Sequence, residues 1–205
     1  MVDSFLADLR TTSPLEAMSV ALGLVYVLLA VKRNRWCWVA GGLSSALLIY
    51  LAATSRLPMQ ALLDGYYTVM SCYGFFYWTK NQGEATRVPG FWPLKSHMLA
   101  WLIILIMSAL SARWLASATN AAWPFLDSLT TWASLLAVWL EARVKVETWL
   151  YWIAIDIGCL FLFHQQGLTF IATLFAVYLV VSVFGFRSWL RARRAHQCSL
   201  LSAAE

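Results

Sequence analysis

Stretches of about 20 mostly apolar residues, the length needed to cross roughly 30 Å of hydrocarbon, recur seven times in this chain. They run at about 14–31, 36–53, 59–78, 94–115, 124–141, 148–164 and 167–189. Hydrophobic residues make up 61% of the 205 and charged residues 12%, against roughly 45–50% and about 25% in a soluble domain. Twelve Trp, eight Tyr and eleven Phe add the aromatic excess of bilayer interfaces. The expectation is an all-α integral membrane protein with seven transmembrane helices. The first start is well marked: Ser13-Pro14-Leu15-Glu16 offers an N-cap serine, a proline at the first helical position and the Glu of a capping box.

Charge then sets orientation. Arg10, Arg56 and Arg113 fall on the amino-terminal side of the spans, and the other 12 of the 15 Lys and Arg fall on the opposite side. The positive-inside rule places the amino terminus outside and the basic carboxyl tail in the cytoplasm. The net charge of +5 is therefore topological and points to no nucleic-acid partner. Residues 1–13 hold Asp3, Asp8 and Arg10, not the positive n-region of a cleavable signal. Cys37, Cys72, Cys159 and Cys198 are far apart with no C-x-x-C pair, so they read as small thiols rather than a disulfide or metal framework.

Residues 16–78 lie on 127–189 without a gap at an offset of 111. Trp38 falls on Trp149, Tyr67 on Tyr178, Ser71 on Ser182, Gly74 on Gly185, Phe75 on Phe186 and Trp78 on Trp189. A duplication of this kind gives one three-helix repeat over 14–78, a connecting helix over 94–115, a second repeat over 124–189 and a basic tail over 190–205. Three spans plus one is an even number, so both repeats enter from the same side. Parallel repeats related by an axis along the membrane normal belong to transporters, with substrate held between the halves near the midplane.

Ionisable groups inside spans are rare because each costs about 2.5–3.5 kcal/mol on insertion scales. Asp64 lies in the third span and Asp156 near the middle of the sixth. Gln60, Asp64, Tyr67, Ser71 and Gly74 form one helical stripe. Asp127, Thr131, Ser134 and Val138 form a matching stripe in the fifth span, and Trp149, Trp152 and Asp156 share a face of the sixth. Ser19, Gly23 and Tyr26 lie together in the first. Such stripes serve either helix packing or a substrate path. An aromatic wall with a carboxylate suits a flat organic cation, through ring stacking, cation–π attraction and a counter-charge. Most other tryptophans fall at span ends, where an interfacial belt is their ordinary role.

Enzyme readings find little support. No Walker A motif is present, Gly42-Leu43-Ser44-Ser45 lacks the last glycine of a nucleophile elbow, and of His97, His164 and His196 only His164 meets a span end. No catalytic, metal or cofactor site is expected. A rhodopsin-like reading fails for want of a lysine in the last span. A ligand sensor using the same pocket without transport stays open.

The segments Trp123-Pro124-Phe125-Leu126-Asp127-Ser128 and Val146-Glu147-Thr148-Trp149-Leu150-Tyr151-Trp152, with the ending Tyr73-Gly74-Phe75-Phe76-Tyr77-Trp78 of the third span, resemble the PnuC family of bacterial vitamin-precursor transporters. The resemblance covers roughly residues 14–190. It implies a three-plus-one-plus-three fold like that of the sugar-transporting SWEET proteins, a homotrimer, and residence in the inner membrane. It also implies facilitated diffusion, with a cytoplasmic kinase trapping the vitamin. Carried onto matching positions, the substrate site comprises Trp149, Trp152, Asp156, Asp64, Ser71, Thr131 and Ser134; the stripes add Gln60 and Tyr67. Riboside carriers of that family have Gln where Asp64 stands and Asn where Asp156 stands, so two amides are acids here. Nicotinamide riboside is the expected substrate and thiamine the alternative, and both are flat ring cations.

Overall fold

The computed structural model describes residues 13–54, 58–80, 88–118 and 123–202. Arg10, Arg56 and Arg87, counted above for topology, lie outside the described residues, as do Asp3 and Asp8. Seven helices are present among the described residues: α1 (Pro14–Val31), α2 (Trp36–Thr54), α3 (Pro58–Lys80), α4 (Leu94–Ala118), α5 (Pro124–Ala142), α6 (Thr148–Gln165) and α7 (Thr169–Ser202). The expected spans match these within a few residues, except that α7 runs on unbroken to Ser202 where a tail was expected from 190. Nothing in 187–199 breaks a helix, since no Gly or Pro occurs there. The capping box at α1 is formed as expected, with Ser13 N to Glu16 Oε2 at 2.7 Å and Glu16 N to Ser13 Oγ at 3.2 Å.

Among the described residues, four helices are long and apolar enough to cross a membrane: α1, α2, α4 and α7. The other three carry the interior acids, Asp64 on α3, Glu141 on α5 and Asp156 on α6, all buried. Helix α3 shows how such a helix is arranged. Leu62, Val69 and Phe76, seven residues apart, are 67–71% exposed, whereas Asp64, Ser71, Gly74 and Trp78 on the other face are buried. The apolar side faces outward and the polar side inward, the reverse of a soluble amphipathic helix.

Neighbouring helices close a ring in the order α1, α2, α3, α5, α6, α7 and back to α1, while α4 lies outside it along α5. Helix α4 also reaches α6, where Trp101 and His97 stack on Tyr151. The turns after α1 and α5 are built alike. Arg33 and Val144 both adopt positive φ, 55° and 54°. Arg33 N bonds Ala30 O at 2.9 Å and Asn34 N bonds Leu29 O at 3.0 Å; Val144 N bonds Glu141 O and Lys145 N bonds Leu140 O, both at 2.9 Å. These are Schellman closures made without the usual glycine.

One end of the ring is filled by four buried indoles in a row. Trp38 and Trp78 meet edge to face at 5.5 Å, Trp78 and Trp189 are tilted at 6.4 Å, and Trp149 and Trp189 meet edge to face at 5.5 Å. A Cβ on Gly74 would collide with the Trp38 ring, and one on Gly185 with the Trp149 ring. Trp78 Nε1 donates to Ala142 O at 2.9 Å, and Trp189 Nε1 to Ala30 O at 3.2 Å. Each bond therefore runs from the third helix of one segment to the first helix of the other. At the same end, segment 88–93 ties the α5–α6 turn to α7. Gly90 pairs with Val144 and Val146, and Arg193 Nη1 bonds Pro89 O at 2.9 Å while its guanidinium lies over Phe91.

Candidate functional site

The polar stripes point into the ring, and they meet in two places. On the α3–α5 seam, Tyr67 OH donates to Ser134 Oγ at 2.7 Å, Ser134 Oγ to Thr131 O at 2.8 Å, and Tyr66 OH to Leu135 O at 2.9 Å. Asp64, one turn before Tyr67, accepts from Gln60 Nε2 at 3.2 Å and lies within electrostatic range of the Tyr67 hydroxyl. Thr131 spends its hydroxyl on Asp127 O in its own helix. On the α6–α7 seam, Asp156 Oδ2 accepts from Ser182 Oγ at 2.9 Å, with Tyr178 in electrostatic range.

The nine expected residues thus divide. Tyr67 and Ser134 are in direct contact, and Asp64 and Gln60 sit on the same seam, Asp64 buried and Gln60 exposed. Asp156 is joined to α7 rather than to that group. Ser71 is buried beside Gly42 of α2. Trp149 is enclosed in the row of indoles, set on Gly185 and Trp189. Trp152, one turn on, keeps part of its surface free and turns its N–H inward.

That N–H finds a residue which the sequence reading passed over. Trp152 Nε1 donates to Glu141 Oε2 at 3.0 Å. Glu141 is 1% exposed, and the Tyr26 hydroxyl of α1 interacts with the same carboxylate. Its second oxygen, Oε1, has no hydrogen-bond partner among the described residues. A signal existed: Glu141 continues the stripe Thr131, Ser134 and Val138 by another i+3 step. Arg143 and Lys145, which follow it closely, mask that signal.

Arranged in this way, the interior offers carboxylates, tyrosine hydroxyls and a partly open indole, a set that binds and orients a small organic molecule. Among the described residues no three His, Cys, Asp or Glu side chains gather as a metal site requires.

Comparison with known proteins agrees. The chain matches the nicotinamide mononucleotide transporter family over residues 13–191. It is similar to the riboflavin/roseoflavin transporter RibM of Streptomyces davaonensis, with 25% identity over 180 residues that cover 84% of this chain and 83% of that protein. It is also similar to the nicotinamide riboside transporter PnuC of Escherichia coli, with 23% identity over 215 residues, 92% of this chain and 90% of that protein. The fold resembles the crystal structure of the vitamin B3 transporter PnuC, at a TM-score of 0.72 and 20% identity, covering 95% of this chain and 90% of that one. The chain therefore belongs to the nicotinamide mononucleotide transporter family and is a membrane transporter, not an enzyme.

Proposed function

We propose that this transporter takes up a flat, ring-cationic B-vitamin precursor, nicotinamide riboside first and thiamine second. The observation that carries this is three buried acids, each near aromatic side chains: Asp64 near Tyr67, Asp156 near Tyr178, and Glu141 against Tyr26 and Trp152. A neutral vitamin needs no such counter-charges, whereas a cationic ring gains from each of them. The riboflavin carrier among the similar proteins makes the isoalloxazine ring the natural competitor in any test.

In this reading the protein has a three-plus-one-plus-three architecture of two parallel repeats, α1–α3 and α5–α7, with α4 as the connecting helix. The matched turns at Arg33 and Val144 and the matched indole pairs on Gly74 and Gly185 support it. The halves rock about a midplane site by alternating access. Trp152 stacks the ring, with Asp156 or Asp64 balancing its charge; Gln60, Tyr67, Ser71, Thr131 and Ser134 line the path, and Trp149 frames it. Uptake is facilitated diffusion with a cytoplasmic kinase trapping the product, in a homotrimer in the inner membrane with its amino terminus outside.

Tryptophan-fluorescence titration of the purified protein with nicotinamide riboside, thiamine and riboflavin tests the substrate class. Saturable quenching by either cation supports the reading, and saturation by riboflavin alone would end it. Flux of the bound vitamin into liposomes separates a carrier from a sensor that binds and moves nothing.

A further inference from the structure

Glu141 is the interior acid with the most unusual surroundings. It is fully buried at the end of α5, with the Trp152 N–H on Oε2, the Tyr26 hydroxyl bonded to the same carboxylate, and Oε1 without a hydrogen-bond partner within 3.5 Å among the described residues. Its hydrogen-bond partners among the described residues are Tyr26 and Trp152, both neutral. Arg143, two residues on, lies over the rings of Tyr73, Tyr77 and Trp139 instead. His97 Nε2 lies 3.5 Å from Glu147 Oε1, at the α4–α6 contact.

A buried carboxylate with no cationic partner among the described residues stays ionised only where something supplies the missing charge or donor, and otherwise takes up a proton. What surrounds this one is aromatic: Tyr26 comes from α1, Trp152 from α6, and Tyr67 lies in electrostatic range of Tyr26. Rings around an acid are how a protein recognises a cation delocalised over a flat ring, with π-faces for the ring and the carboxylate for its charge. The geometry points to Glu141 as a substrate-binding and specificity-determining residue: its free oxygen is the counter-charge that makes the carrier prefer a ring cation to a neutral ring of the same shape.

The inference rests on the substrate reading above, and calorimetric titration of the full-length protein in detergent separates the two. The probes are thiamine and its neutral analogue with thiophene in place of thiazolium, together with nicotinamide riboside and its uncharged dihydropyridine form. Glu141→Gln keeps the size and an oxygen for the Trp152 N–H but removes the charge. Cation affinity should fall about tenfold or more, as loss of a charge-assisted contact does, with the neutral analogues held within about twofold. The cation-over-neutral preference should also fall in Glu141→Met, which answers the question if the Gln variant does not fold. Equal weakening of cation and neutral probe would make Glu141 a packing residue and overturn the inference. So would an unchanged cation affinity, and if Trp152→Ala then still abolished binding, the site itself would stand. A wild-type protein that bound neither cation would remove the substrate reading and this inference together.

Discussion

The two three-helix segments of this protein share a frame and differ in what they place inside it. At an offset of 111, Trp38 and Trp149 are both buried on a glycine, Trp78 and Trp189 both bond the first helix of the other segment, and Arg33 and Val144 both turn the chain with positive φ. Other matched positions have diverged. Where the second segment has Glu141, Trp152 and Asp156, the first has Ala30, Gly41 and Ser45; where the first has Asp64, the second has Phe175. The space beside Gly41 is taken by the Tyr26 ring, so a second indole there has no room. The indoles match because both segments close the same end of the ring, while in the proposed site the acids differ, as one asymmetric substrate needs one set of partners.

The largest effects should come where the halves agree. Trp38→Ala and Trp149→Ala each empty a site that is at most 1% exposed, and each should lower stability by about 3–5 kcal/mol. Thermal unfolding followed by tryptophan fluorescence checks this. A mild effect in one of the two would show that the shared frame matters to one half only. Gly74→Ala and Gly185→Ala come next. The added Cβ meets a buried indole ring, Trp38 or Trp149, and overpacking of this kind costs about 1–3 kcal/mol. The same unfolding measurement should find both variants destabilised to a similar degree.

Much of the frame was legible in the sequence. Seven apolar runs, the capping box at Ser13 and the offset of 111 all show before any coordinates, because they depend on local pattern. The closures at Arg33 and Val144 did not show, since the residue that usually marks them is glycine and neither turn has one. In the proposed site, Asp64 and Asp156 stand out as acids in apolar runs. Glu141 does not, because two cationic residues follow within four positions and its burial depends on Trp152 and Tyr26, which lie on other helices. Long-range partners of this kind leave no periodicity to read.

Smaller effects should come where the halves differ. Asp156→Asn removes a charge but keeps an oxygen for Ser182, so cation binding should weaken several-fold, about 1 kcal/mol, with little change in folding. Its counterpart Ser45→Ala should leave affinity within about twofold, because no interior acid stands at that position. Titration of the two variants side by side sharpens the comparison: equal losses would mean that both halves contribute alike to the site.

The smallest effect tests whether the frame moves. Trp78→Phe and Trp189→Phe each remove one N–H bond between the segments and retain most of the aromatic bulk. Each should lower stability by about 1 kcal/mol, the usual net value of a hydrogen bond. If the halves rock as rigid bodies, these two bonds hold the conformation in which this end of the ring is shut, and losing either favours the open form. A bias of about 1 kcal/mol is roughly a fivefold shift in that equilibrium. Exposure of an engineered cysteine at Ser188, whose hydroxyl lies 3.4 Å from Val31 O beside the indoles, should therefore rise by a similar factor in labelling experiments. Because the two donors stand at matched positions 111 residues apart, the two variants should shift it alike. A change in one alone would mean that the α1–α7 and α3–α5 seams open separately.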